Sequence, residues 1–194
     1  MVHHDPRPVF IILAGPDGAG KSTTAARLLP PDFPFVNAHE IAKTLPSYPS
    51  STADLEAGRI ALERMDDLAS RGASFAVETT LAGRTFAARA RHLQSLGFHF
   101  RLFFVYAPDP EFCIRRVAAR VGSGGHDIPS ETVRRRYHSG VRNFVKLYLP
   151  IADEWWLVRN ANEGGIRIIA AGGTGVEAQV SDPVRWELIL RASS

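Results

Sequence analysis

One cysteine in 194 residues, Cys113, cannot close an internal disulfide. It falls in a helix-like stretch and reads as a small buried apolar side chain, which suits a reducing compartment. No apolar run approaches the roughly 18 residues that a membrane helix needs. The first residues, "MVHHDPRP", lack an apolar core followed by a small-residue cleavage site, so no secretory leader is expected and the protein is expected in the cytoplasm. There is no internal repeat, no low-complexity tract and no linker, so residues 1–194 read as a single domain. Lysine is also scarce: only Lys21, Lys43 and Lys146 occur among 23 lysines and arginines. The net charge of +3 is therefore carried mainly by arginine, whose planar fork suits phosphate. Nucleic acid and nucleotide phosphate are both candidate partners on this ground, and the placement of the arginines has to choose.

Apolar runs alternate with helical patterns along the chain. "PVFIILAG" reads as a buried strand closed by glycine, residues 22–29 as a helix, and "FPFVNA" as a short second strand. Between 53 and 71, Leu55, Leu62, Met65 and Leu68 recur at helical spacing, with Ser51 and Asp54 matching a capping box at the start. "SFAVE" is a third strand, 84–96 a helix, "FHFRLFFVYA" a fourth strand and 111–121 an arginine-rich helix. Ser130 is placed to cap a helix running towards Leu149, and "WWLVRN" is a fifth strand. "GIRIIAAGG" and "GVEAQVSD" read as a hairpin, and residues 183–191 as a terminal helix. The alternation predicts an α/β fold with a doubly wound parallel sheet of about five strands and helices on both faces. To this it adds an arginine-rich helical lid, a C-terminal hairpin and a short helix.

The sharpest motif is "AGPDGAGKSTTA", residues 14–25. Gly15, Gly20, Lys21 and Ser22 satisfy G-x-x-x-x-G-K-[ST], with a strand before and a helix after. Glycines let backbone N–H groups turn in around phosphate oxygens, and the helix start adds positive dipole. The nucleotide-binding stretch comprises Gly15, Asp17, Gly18, Ala19, Gly20, Lys21, Ser22 and Thr23. Lys21 is expected to reach the β- and γ-phosphates of ATP, and the Ser22 hydroxyl to ligate Mg2+.

Two weaker patterns, "GSGGH" at 122–126 and "IADE" at 151–154, bring transport-type ATPases to mind. Pro150 and Ala152 break the apolar strand that should precede the acidic pair, and a basic helix intervenes. Asp153 and Glu154 are accordingly expected on the surface. Six arginines, Arg115, Arg116, Arg120, Arg134, Arg135 and Arg136, crowd two helices around the glycine loop. Arg116 and Arg120 are four apart and share a helix face. Closing these helices would bring guanidinium groups onto a transferring phosphoryl group. The span has little aromatic interleaving beyond Tyr137, which disfavours nucleic acid as the partner.

"GPDGAGKSTTA", "FVNAHEIAKTL", "GRIALERMDDLASRGASFAVETTLAG" and "RVAARVGSGGHDIPSETVRRRYHSGVRNFVKLYLPIADEWWL" occur in this order, and together they resemble the zeta-toxin-like P-loop kinases, in particular their short bacterial branch. The resemblance covers about residues 9–175. It implies a compact P-loop kinase fold, ATP with Mg2+, and transfer to a hydroxyl, which in zeta toxins belongs to a UDP-linked amino sugar. It also implies restraint by an antitoxin, although no antitoxin-like segment is recognisable and only 14 residues precede the first glycine of the loop. In that family an aspartate ending the second strand, in "NAD", takes the proton of the attacking hydroxyl. Here His39 stands in its place, followed by Glu40. Imidazole, with a reference pKa of about 6.5, is the better base near neutral pH, and neighbours on a strand face opposite ways, so one of the two is expected in the cleft.

Ligands of such sheets collect at the carboxyl ends of the strands. Glu78 ends the third strand and is expected to hold the metal's water or the substrate. Thr79, Thr80 and Arg135 are expected to bind the acceptor, and Asn160 to lie by adenine. The acceptor is expected between His39, Glu78 and the "TLPSYPSST" loop. Two alternatives use the same parts: a nucleotide or polynucleotide 5′-kinase, and a degenerate protein that binds ATP and transfers nothing.

Overall fold

A computed structural model of the chain describes residues 7–122, 127–161 and 165–193. At its centre is β1 (Val9–Ala14), whose consecutive residues Phe10 to Ala14 are all buried. A strand buried at every position is covered on both faces of its sheet. β1 lies between β3 (Phe75–Thr79) and β4 (His99–Val105), with β2 (Phe35–Val36) outside β3 and β5 (Glu154–Asn160) outside β4, all parallel. Phe10 holds three strands together: its ring lies 5.0 Å from Phe75 and 5.7 Å from Phe100.

Register decides what meets at the carboxyl edge. Leu13 pairs with Glu78 and Ala14 with Thr79, so β3 ends beside the strand that feeds the glycine loop. Val36 pairs with Val77, which puts Asn37 level with Glu78. Val105 pairs with Val158, two residues short of Asn160.

The hairpin departs from expectation. β6 (Ile166–Gly173) pairs antiparallel with β5, and β7 (Val176–Val180) pairs with β6. The sheet therefore has seven strands and is mixed, in the order β2-β3-β1-β4-β5-β6-β7, rather than parallel with about five. The cause is apolar: Ile169 and Ala170 are buried, and α7 (Pro183–Ala192) covers this end, with Trp186 stacked on Trp155 at 5.6 Å. Such a pair contributes about 1 kcal/mol beyond its buried area.

The helices are α1 (Lys21–Leu28), α2 (Ala38–Lys43), α3 (Ser51–Ser70), α4 (Thr85–Ser95), α5 (Pro110–Val121) and α6 (Ser130–Asn143), the last running into a π-helical turn at Phe144–Tyr148. Three local expectations are corrected. The cap of α3 is Ser50, whose hydroxyl accepts from Ala53 N at 3.1 Å, so Ser51 and Asp54 form no capping box. α3 buries Ala53, Ala57, Ala61 and Met65, a row four residues apart, while Leu55 is 78% exposed and Leu62 and Leu68 are only partly buried. Small side chains on that row let α2 and the sheet approach closely. Ser130 makes no cap, since Pro129 occupies the cap position of α6.

α6 is braced on the edge of the sheet. Tyr137 Oη donates to Ala107 O and Pro108 O, each at 3.2 Å. Asn143 Nδ2 donates to Leu81 O at 2.7 Å, and Gly140 passes so close to Thr80 O that a Cβ would collide with it. Its carboxyl half is therefore fixed. Of the glycine loop at 122–126, only Gly122 lies within the described residues.

Candidate functional site

The glycine loop is held from two sides. Gly15 has φ +142°, and a Cβ there would stand 2.6 Å from Val105 O at the end of β4. Gly18 has φ +77°, and a Cβ there would stand 2.9 Å from Cys113 O on α5. Only glycine satisfies both the backbone angle and the close approach at these positions. Gly20 occupies the cap position of α1 and offers no side-chain cap, so the first N–H groups of the helix remain available to an anion. Lys21 is buried, donates from Nζ to Pro16 O at 3.1 Å and lies 3.9 Å from Glu78 Oε1.

Glu78 joins the loop to the second strand. Its Oε2 accepts from Ser22 Oγ at 3.0 Å and from Asn37 Nδ2 at 3.0 Å. Ser22 and Glu78 offer a hydroxyl and a carboxylate, hard oxygen donors of the kind Mg2+ takes alongside phosphate oxygens and water. Among the described residues no group of three or more histidine, cysteine, aspartate or glutamate side chains could hold a metal by itself, so a metal here would need the nucleotide. The sequence reading gave Asn37 no role. Its signal was present: asparagine after a strand, at the start of "AHEIAK", is a strong helix cap. Asn37 Oδ1 accepts from His39 N at 2.9 Å and Glu40 N at 3.4 Å while its amide holds Glu78.

His39 and Glu40 therefore do not end a strand. The strand stops at Val36, and both residues sit in the first turn of α2. Successive helical residues point about 100° apart, so the two side chains still diverge, for a different reason. His39 lines the cavity with Glu78, and its ring meets Tyr48 edge-on at 6.4 Å. Glu40 is exposed and pairs with Lys43 at 2.7 Å. Thr79 and Thr80 reach the same cavity, but their hydroxyls accept from Leu81 N and Ala82 N and so shape the turn.

Two chambers flank the loop. The first, about 700 Å³, touches the loop at Ala19, Gly20 and Thr23. Its other walls come from Tyr106 just after β4, from Phe112 and Arg116 of α5, from Arg159 and Asn160 of β5, and from Val184, Arg185 and Leu188 of α7. Asn160 also braces the loop: its Nδ2 lies 3.3 Å from Gly20 O, and Arg27 Nη1 donates to its Oδ1 at 3.4 Å. The second, about 600 Å³, touches the loop at Asp17, Gly18, Lys21 and Ser22 and contains His39, Glu78, Arg120 and Arg135. Arg116 and Arg120 thus line different chambers, although both were expected on one phosphoryl group. The "TLPSYPSST" loop is not in the wall, and Asp54 of α3 takes its place.

Asp17 is 9% exposed and pairs with Arg136 Nη1 of α6 at 3.4 Å. A carboxylate repels phosphate, so only the backbone at this position suits nucleotide binding. Arg136 was expected among the lid arginines, but its pairing with Asp17 and the α7 wall were not foreseen, because nothing local says that residues so far apart meet the loop.

A family model described as "AAA domain" matches residues 10–143. An uncharacterised protein of Haemophilus influenzae is 29% identical over 127 residues, covering 66% of this chain and 91% of that protein. A chain of the AvrRxo1-ORF1:-ORF2 complex crystallised with ATP superposes with a TM-score of 0.74 at 20% identity over 97% of this chain. This chain spans 64% of its length, under two thirds. A structure of the PezAT toxin-antitoxin system of Streptococcus pneumoniae gives a TM-score of 0.69 at 17% identity, covering 95% of this chain and 79% of that one. At such identities the superpositions show a shared P-loop kinase-like fold. The family match begins within β1, ends with α6 and takes in the loop, Glu78 and both arginine helices, so the chain belongs to the AAA domain family.

Proposed function

We propose that the protein is an ATP-dependent kinase of the zeta-toxin-like kind, which transfers the γ-phosphoryl group of ATP to a hydroxyl of a small molecule in the cytoplasm. The observation that carries this reading is the pair of chambers meeting across one phosphate loop. The first, with aromatic and aliphatic walls among its arginines, suits a nucleoside; the second, more polar and holding His39, suits an acceptor. A hydrolase needs only a nucleotide and water, and would not need a second chamber of this size. The AvrRxo1 complex crystallised with ATP supports ATP as the donor by analogy of fold.

In this reading the backbone N–H groups of the loop, from Asp17 to Thr23, and the Lys21 side chain bind the triphosphate. Ser22 and Glu78 hold Mg2+, which supplies charge neutralisation on the transferring group. Asn160 fixes the loop beside the nucleoside. Asn37 holds Glu78 and starts α2, and so sets the approach of His39. His39 takes the proton of the attacking hydroxyl, while Arg120 stabilises the spread charge on the phosphoryl group. A restraining partner protein belongs to the same reading, by analogy with the PezAT toxin-antitoxin system, and co-purification from the native host checks it.

Calorimetry with ATP and Mg2+ is the direct test. Binding is expected in the micromolar to millimolar range, and Lys21→Ala should lower phosphoryl transfer by orders of magnitude, since Lys21 is the loop's own cation. No binding at millimolar ATP sinks the proposal.

A further inference from the structure

The two chambers differ in a way that bears on the acceptor. The nucleoside chamber has Tyr106, Phe112, Val184 and Leu188 in its walls. Val184 and Leu188 are 71% and 47% exposed, large apolar side chains left open to a ligand. Across the loop, no Phe, Tyr or Trp lines the second chamber among the described residues. Its one aromatic ring among the described residues is that of His39, whose neighbour Tyr48 stands outside the wall. Nucleobases are gripped by stacking on aromatic or planar groups, worth roughly 1–3 kcal/mol per base. The second chamber offers no Phe, Tyr or Trp platform; its imidazole is the proton acceptor of the kinase reading, and its guanidinium groups sit among carboxylates.

What it offers instead is charge of both signs. Asp17, Asp54, Glu78 and Asp127 face Lys21, Arg120, Arg135 and Arg136. Part of this is already satisfied: Glu78 is bound to Ser22 and Asn37, and Asp17 to Arg136. Asp54 on α3, Asp127 just ahead of α6 and Arg135 on α6 are solvent-exposed and make no side-chain hydrogen bond or ion pair among the described residues, and Asp54 and Arg135 face the chamber from different helices. A guanidinium fork without a partner calls for a phosphate or carboxylate. An ionised carboxylate accepts hydrogen bonds only, so Asp54 calls for hydroxyl donors and rejects a second anion.

We infer that the acceptor is a small polyhydroxylated molecule with one anionic group and no nucleobase, of the class of sugar phosphates and sugar acids. Arg135 holds the anion and Asp54 the hydroxyls. This rests on the kinase reading. One hydroxyl oxygen bonds to the γ-phosphorus as the bond from that phosphorus to the β–γ bridging oxygen breaks. The bridging oxygen leaves with the electron pair in ADP, and the hydroxyl proton passes to His39.

The full-length protein is incubated with γ-labelled ATP and Mg2+ against glycerate, ribose 5-phosphate, glucose 6-phosphate, neutral glucose, UDP-N-acetylglucosamine and a 5′-hydroxyl oligodeoxynucleotide. Label is expected on one or more of the first three. Arg135→Ala is expected to raise the KM of that acceptor about tenfold or more, the loss of one charge-assisted contact, with the KM for ATP held within about twofold. Asp54→Asn should raise the acceptor KM as well. Label chiefly on glucose, the UDP-sugar or the oligonucleotide, or on nothing, overturns the inference, as does an unchanged acceptor KM in Arg135→Ala. ATP binding measured in parallel separates the two claims. If ATP binds, these outcomes remove the acceptor class alone; if it does not, the kinase reading falls and takes the acceptor class with it.

Discussion

Lys43 Nζ stands 2.7 Å from Glu40 Oε1, and both side chains are in solvent. A carboxylate turned away from the chamber is poorly placed to take a proton from a hydroxyl within it. His39 faces that chamber. Glu40→Gln should therefore leave kcat within about twofold, whereas His39→Ala should cost about 10² or more, the usual contribution of a positioned base. In His39→Asp, activity should persist and the acid limb of kcat should move to lower pH, since a carboxylate is a weaker base than imidazole. An acid limb that stays in place removes His39 from the reaction. Cys113 is a contrasting case. It is fully buried against the loop, and burial, with the Asp17 charge behind it, pushes the thiol up to about 12 despite the opposing pull of Lys21. The thiolate is the reactive form, so iodoacetamide at pH 8 should leave the native protein unlabelled and modify it in urea. Rapid labelling of the native protein would contradict the buried placement.

Among the helices, α5 carries the most specific prediction. Arg116 and Arg120 are one turn apart, about 6 Å along the axis. The Gly18 apex of the loop presses on α5 at Cys113 and Arg116. The loop therefore divides the helix, with Arg116 lining the first chamber and Arg120 the second. Arg116→Ala should raise the KM for ATP about tenfold and spare kcat. Arg120→Ala should do the reverse, lowering kcat by about 10² or more, because in the proposed reading it acts where charge develops. Equal effects on both parameters in both variants would contradict the division. The sequence showed the two arginines on one helix and could not show the loop between them.

At the scale of the whole molecule the sheet has a chemical edge and a structural one. At the amino ends of β4 and β5, Asp153 Oδ2 accepts from Phe100 N at 2.7 Å and from Gln94 Nε2 at 3.0 Å. Glu154 Oε2 accepts from Arg101 Nε at 2.6 Å and lies 3.1 Å from His99 Nε2. The acidic pair expected on the surface is in fact half-buried and pins two strands together. Burial pushes the Glu154 carboxyl up, but the hydrogen bonds from His99 and Arg101 outweigh it and hold the group below its usual value. Its contribution to stability is thus complete above the unfolded pKa, near 4.3 for glutamate, and is lost as pH falls through the lower folded value. Glu154→Gln should lower Tm at pH 7 and flatten the fall of Tm below about pH 4, with no change in ATP affinity. A Tm-against-pH curve parallel to that of the original protein would rule out this linkage.

The elements that could be read from the sequence are those whose cause is local. The glycine loop requires positive φ at Gly15 and Gly18 within four residues of chain, and β1 declares itself by an unbroken apolar run. Lys21, Ser22 and Glu78 follow from that loop and from the end of one strand. Packing between distant segments decided the rest. α2 is six residues long, too short to stand alone, and forms because Asn37 caps it and α3 supports it. α3 turned its alanines inward because close approach was worth more there than the area of Leu55. The hairpin joined the sheet because β5 had an open edge and α7 could cover the join. The separation of Arg116 from Arg120, the Asp17–Arg136 pair and the two chambers depend on where α5, α6 and α7 dock, and docking is a property of surfaces that meet only once the chain has folded.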